Sequence, residues 1–163
     1  ISKIKMEREF KILSKKGFNV SVARLFSFIG NRILKNKNFA ITNLISQAKN
    51  KNIKVIKLSD TKDVYRGYMN SEDLIRWLFK ILLNANKKCN IFNVGSDEVI
   101  TIENLAKMIS KKFGKNIQRV VNLDNNSVKV VDFYVPSITK AQKILNLKVK
   151  FKIEDSLNYL LKK

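Results

Sequence analysis

The chain contains no histidine, so the side chain that most often serves as general base or metal ligand near neutral pH is missing. Its one cysteine, Cys89, therefore has no imidazole to activate it. It stands just before an apolar run, the setting of a small buried or strand-edge residue rather than a nucleophile. No Ser/His/Asp triad or metal cluster can be assembled. Neither G-x-G-x-x-G nor G-x-x-x-x-G-K-[ST] occurs, so these residues offer no glycine loop to cradle a pyrophosphate. What remains is cation chemistry. Arginine occurs only as Arg8, Arg24, Arg32, Arg66, Arg76 and Arg119, and its planar guanidinium can pair with two phosphate oxygens at once. Arg66 lies in V-Y-R-G-Y-M between Tyr65 and Tyr68, which sets it apart from a generic basic run.

The elements that must position these groups follow from apolar spacing and punctuation. Residues 1–16 read as a helix with Met6, Phe10 and Leu13 on one stripe and Gly17 free to take positive φ at its end. N-V-S-V-A-R-L-F-S-F-I is apolar on both faces, as expected of a buried parallel strand, and Gly30 ends it. Ile41, Leu44, Ile45 and Ala48 form a helical face. Residues 53–58 are predicted as a strand followed by the turn S-D-T-K-D, and V-Y-R-G-Y-M as another strand. Ser71 is expected to cap a helix that buries Ile75, Leu78, Phe79 and Leu82, with Trp77 packing rather than stacking on a base. N-I-F-N-V-G-S reads as a short buried strand. Thr101 caps a helix with the stripe Ile102, Leu105, Ile109 and Phe113, closed by Gly114. N-L-D-N-N-S marks a loop. Pro136-Ser137 starts a helix burying Ala141, Ile144 and Leu145, and a last helix uses Ile153, Leu157, Leu160 and Leu161. Strands alternating with helices, without repeats or an obvious linker, make an α/β chain. From residue types alone it is an α/β module with no self-contained active site.

Composition bounds the partners. The 163 residues are 45% hydrophobic, enough for a core. Thirty-three Lys+Arg against 13 Asp+Glu give a formal charge of +20, which invites a nucleic-acid reading. Three features oppose it. The cations are mostly lysine, they spread from Lys3 to Lys163, and Asn and Ile are abundant alongside them, the three residues that A/T-rich codons specify. No nucleic-acid or membrane partner is expected. One cysteine, no membrane-length apolar run and no leader-like segment fit a cytoplasmic protein.

Five blocks, in order, resemble the C-terminal half of NAD-dependent nucleotide-sugar epimerases and dehydratases of the extended short-chain dehydrogenase family. S-K-I-K-M-E resembles the end of Y-x-x-S-K-x-x-x-E, and A-R-L-F-S-F-I-G-N resembles R-x-F-N-V-Y-G-P. V-Y-R-G-Y-M-N-S-E-D-L is similar to V-R-D-F-I-Y-V-D-D-L. I-F-N-V-G-S-D-E-V-I-T-I-E-N-L-A is similar to Y-N-V-G-S-G-x-x-x-S-I-x-E-L-A, and V-P-S-I-T-K-A-Q-K-I-L-N-L to D-x-S-K-A-x-x-x-L-G-W. The resemblance implies that residues 1–30 close a Rossmann-type domain, carrying the catalytic-lysine helix and a core strand. Residues 31–163 are then mainly a smaller α/β substrate-binding domain, with 71–96 returning to the Rossmann-type sheet. It also implies that the glycine loop and the catalytic tyrosine, four residues before Lys3, lie upstream of this chain.

Residue by residue, the resemblance makes Lys3 the catalytic lysine, which binds the nicotinamide ribose and lowers the pKa of the tyrosine so that a phenolate can act as base. Phe26 and Ile29 fall at cofactor-binding positions. Ser27, Asn43 and Arg66 fall at substrate positions, Arg66 on the diphosphate; Phe39 is expected in the core. No residue is expected to bind metal. Asn93, Gly95 and Ser96 read as structural, the glycine letting the strand turn. There are departures. Gly67 stands where aspartate usually follows the arginine, Asn31 replaces a proline, L-S-D replaces a G-D-G turn, and Phe133 and Tyr134 occupy the neighbourhood of a second phosphate-gripping arginine. The complete enzyme would oxidise a nucleotide-diphosphate sugar at C4 to a 4-keto intermediate with bound NAD, and would be a homodimer. These 163 residues alone are expected neither to retain NAD nor to turn over. Epimerisation, dehydration and decarboxylation remain open, as do NAD against NADP and the identity of the nucleotide and sugar. A non-catalytic sugar-nucleotide-binding module is the alternative, and a basic nucleic-acid-binding domain a weaker one.

Overall fold

The computed structural model describes residues 2–30, 39–60, 62–121 and 130–161. The fold is α/β, as its sequence pattern indicates. Helix α1 (Ser2–Lys15) ends at Gly17, whose φ of 97° is the left-handed turn expected there. The stretch expected to be a single buried strand is instead two, β1 (Ser21–Leu25) and β2 (Phe28–Ile29), which break at Phe26-Ser27 and change partners. β1 pairs in parallel with β6 (Asn90–Val94), Ser21 opposite Asn90, whereas β2 pairs in parallel with β5 (Met69–Asn70). Nor is β1 buried on both faces. Arg24 points outward and donates twice, at 2.7 Å, to the Glu7 carboxylate of α1, so one face carries an ion pair where apolar packing was expected.

The other strands build two further sheets. β3 (Val55–Asp60) pairs in parallel with β8 (Asn116–Val121). β4 (Lys62–Arg66) lies between β7 (Ile100–Thr101), antiparallel, and β9 (Val130–Tyr134), parallel. No strand is expected from sequence at β7, β8 or β9. The N-L-D-N-N-S stretch and Asn31 lie outside the described residues.

Two hydrophobic cores result. The first joins α3 (Ser71–Leu83), β6 and α5 (Thr139–Leu145) around Trp77, Met69, Phe92, Val94, Ala141 and Leu145. Trp77 is wholly buried, as packing requires. The buried face of α3 is Leu74, Trp77 and Ile81 with Leu78, while Ile75, Phe79 and Leu82 are exposed, one position off the expected stripe. Its N-cap is Asn70, not Ser71: Asn70 Oδ1 accepts from the Glu72 amide at 2.8 Å. In α5, Ile144 is exposed rather than buried. The second core joins α2 (Ala40–Lys49), α4 (Ile102–Phe113), β3 and α6 (Ile153–Leu160) around Ile45, Ile56, Leu105, Ile109 and Leu157. α4 has both expected ends: Thr101 Oγ1 accepts from the Asn104 amide at 3.1 Å, and Gly114 takes φ 61°.

Two polar contacts tie the cores together. Asn70 Nδ2 donates to Ser156 Oγ at 2.9 Å, and wholly buried Asp73 accepts from the amides of Lys150 (2.8 Å) and Phe151 (3.1 Å) while also holding Arg76. Among the described residues no helix is long and apolar enough to cross a membrane.

Candidate active-site cleft

The break between β1 and β2 creates the site. Phe26 stays on the first sheet through its amide bond to Val94 O (2.9 Å), while Ser27 O accepts from the Met69 amide (3.0 Å). The corner between them thus faces the junction of the two cores. Gly95 permits it. A Cβ there would meet Pro136 Cγ at 2.7 Å and Phe26 Cβ at 3.0 Å, so this glycine is required by close approach rather than by the turn expected from sequence. Asn93 Nδ2 donates to Ser137 O (3.1 Å) and Ser96 Oγ accepts from the Glu98 amide (3.1 Å), both satisfying loop backbone groups.

α1 brings Lys3 to this corner. The Glu7–Arg24 pair pins the helix to the end of β1, and Lys3 lies one turn earlier on the same helical face. The Arg24 guanidinium beside Glu7 holds that carboxyl below the usual carboxylate range. A cleft of about 510 Å³ opens there, lined by Lys3, Phe26, Ser27, Phe39, Arg66, Tyr68 and Tyr134 among others.

Four residues singled out by sequence therefore converge from three places in the chain: Lys3 on α1, Phe26 and Ser27 at the corner after β1, and Arg66 on β4. Ile29 does not line the cleft; it is buried in the second core, and its neighbour Phe28 lines the wall. Asn43 is also absent from the lining. It is exposed, and its Oδ1 accepts from Gln47 Nε2 at 2.7 Å. Phe39, expected in the core, is 53% exposed and forms part of the lining.

Arg66, at the end of β4, is held from three sides. Nη1 donates to Tyr65 O (2.9 Å) and Asp132 O (3.2 Å), and Nη2 donates to Asp132 Oδ2 (2.7 Å). Its Cζ lies 5.6 Å from the Tyr134 ring centroid, a cation–π distance, and Tyr134 in turn packs on Phe26 at 4.7 Å. Sequence reasoning missed Tyr68 and Asp132. Tyr68 is buried beside Arg66; burial pushes its phenol up to about 12, with the Arg66 charge opposing. It is a neutral hydrogen-bonding group at physiological pH. Only its place two residues after the arginine could have pointed to it. Among the described residues no three acidic or thiol groups gather to hold a metal. The arrangement offers two cations, a hydroxyl and two phenols among aromatic walls, suited to an anionic ligand with a planar ring or sugar.

No protein-family model matches the sequence, and no curated protein matches it. Solved structures do share its fold. RMD from Pseudomonas aeruginosa, complexed with NADPH, is similar with a TM-score of 0.77 and 20% identity over 98% of this chain and 53% of its own. The UDP-N-acetylglucosamine 4-epimerase of Bacillus cereus gives 0.75 and 19% over 98% of this chain and 50% of its own. The UDP-glucose 4-epimerase of Thermotoga maritima, with UDP-glucose, gives 0.71 and 17% over 95% and 49%. The chain spans about half the length of the structures it matches.

Proposed function

We propose that this chain is the C-terminal portion of an NAD-dependent nucleotide-sugar epimerase/dehydratase acting through a 4-keto sugar. The observation that carries the reading is the convergence of Lys3, Phe26, Ser27 and Arg66 on one cleft. These are residues singled out by motif resemblance, not by any property of the cleft. The fold shared with nucleotide-sugar epimerases supports it.

The groups present suit the nicotinamide end of the cofactor. Lys3 would bind the ribose hydroxyls, and the Phe26 ring would lie against the nicotinamide. When bound, NAD supplies the reversible oxidation at sugar C4. The work of these residues is electrostatic and positional. The Lys3 ammonium favours the ionised form of a tyrosine one helical turn before it, poising that phenol as a base. Arg66 and Tyr68 hold a phosphate, Arg66 by charge-assisted bonds and Tyr68 as a neutral donor. Ser27 offers a hydroxyl to the sugar or phosphate. Residues 1–30 and 71–96 form the Rossmann-type part in this reading and the remainder mainly the substrate-binding part. α1 supplies a homodimer face, since Met6 and Leu13 are exposed on one side of it and line a shallow apolar hollow there with Phe10.

The test is titration of the full-length protein with UDP-glucose and UDP-N-acetylglucosamine by calorimetry, with the sugar then followed by proton NMR. Binding followed by inversion, dehydration or decarboxylation of the sugar supports the reading. Failure to bind any nucleotide sugar removes it.

A further inference from the structure

Arg66 carries five N–H donors in a fixed plane. Its contacts use both hydrogens of Nη1, on Tyr65 O and Asp132 O, and one of Nη2, on Asp132 Oδ2. Asp132 thus occupies the Nη1–Nη2 end of the guanidinium with its own backbone and side chain. Among the described residues, what stays unengaged is the Nε–H and the second Nη2–H. Those two point in parallel and form the side-on fork that receives a carboxylate or phosphate.

Asp132 reaches Arg66 because β9 pairs with β4 in parallel register, Val64 opposite Asp132 and Arg66 opposite Tyr134. The same register puts the Tyr134 ring against the guanidinium. One strand thus supplies both the carboxylate that fixes the end of the fork and the ring that fixes its plane.

We infer that Asp132 is a positioning residue for the phosphate site, holding Arg66 so that its Nε–Nη2 fork clamps a single phosphate group of the nucleotide. The inference rests on the nucleotide-sugar reading and specifies how the site recognises its anion. The sign of one substitution separates it from plain electrostatics. Asp132→Asn removes a negative charge beside an anion site, so charge alone would tighten binding. If the carboxylate positions Arg66, the same substitution weakens binding, because the guanidinium loses its one charged partner and keeps only two backbone carbonyls and the Tyr134 ring.

The probe is UDP, titrated into the full-length protein by calorimetry at low salt. Asp132→Asn should weaken UDP binding by about tenfold, and Asp132→Glu should recover part of that loss. In an Arg66→Ala background, Asp132→Asn should cause no further loss, since the two residues act as one unit. Side-chain ¹⁵N NMR supplies a ligand-free measurement: Arg66 should show separate Nη resonances in the wild type and a single averaged line in Asp132→Asn. Unchanged or tighter UDP binding in Asp132→Asn overturns this inference alone. The identity of the nucleotide being open, absence of binding by the wild type to UDP, GDP and dTDP alike removes the nucleotide reading and this inference together.

Discussion

The backbone of Gly67 runs so close to Ser96 that a Cβ built on the glycine would lie 2.1 Å from the serine carbonyl oxygen. Aspartate, the residue that follows the arginine in the motif this segment resembles, would not fit in this space. The carboxylate beside Arg66 comes instead from the neighbouring strand. Gly67→Ala should cost about 1–3 kcal/mol through overpacking. Gly67→Asp should cost more, because its charge would face a carbonyl. Urea midpoints measure both; a midpoint equal to wild type would contradict the close approach.

Arg66→Ala should weaken nucleotide-sugar binding by about one to two orders of magnitude, the equivalent of roughly 1.5–3 kcal/mol for a charge-assisted contact. NAD affinity should hardly move. Arg66→Lys should restore only part, since an ammonium lacks the planar fork. Calorimetry with each ligand separately provides the comparison.

Tyr68 should be a late-titrating tyrosine. Absorbance at 295 nm should show a phase near pH 12 that is missing in Tyr68→Phe. The sign for stability follows from its raised folded-state pKa. The contribution is fully present below the unfolded value near pH 10 and is lost as pH rises through about 12. Wild type should therefore lose roughly 2–3 kcal/mol relative to Tyr68→Phe across that window. Equal pH dependence of the two proteins would place the phenol in solvent.

In the full-length protein, Met6→Glu together with Leu13→Glu should shift a dimer to monomer, because both side chains lie exposed on α1. Light scattering reads the change directly. A dimer that survives both substitutions would be built on another surface.

The 163 residues expressed alone should purify without stoichiometric NAD, having no glycine loop in their sequence to hold its pyrophosphate. Chromatography of a denatured extract measures this. One NAD per chain would show that the cleft retains the cofactor unaided.

How far the sequence could be read depended on whether the determinant was local. α4 was legible at both ends because a capping threonine and a left-handed glycine act within a few residues. α3 was legible as a helix but not in its facing. It carries Leu74, Ile75, Trp77, Leu78, Phe79, Ile81, Leu82 and Leu83, so periodicity alone could not choose a stripe, and the sheet chose Trp77. β8 and β9 went unread because N-I-Q-R-V-V and V-V-D-F-Y become strands by pairing with β3 and β4, more than fifty residues away. The site divided along the same line. Lys3, Phe26, Ser27 and Arg66 sat in recognisable motifs, whereas Asp132 acquires its role only through strand register.

The buried carboxylate of Asp73 gives the coil after α5 an order that its lack of secondary structure conceals. Two consecutive amides, those of Lys150 and Phe151, end on one side chain of α3. Their exchange with solvent requires those two bonds to a wholly buried side chain to open. In hydrogen-exchange terms they belong to the same opening unit as α3 rather than to a loop. The coil and α6 beyond it are thus fastened to the Trp77 core, and a break at this one carboxylate would be felt in both cores at once.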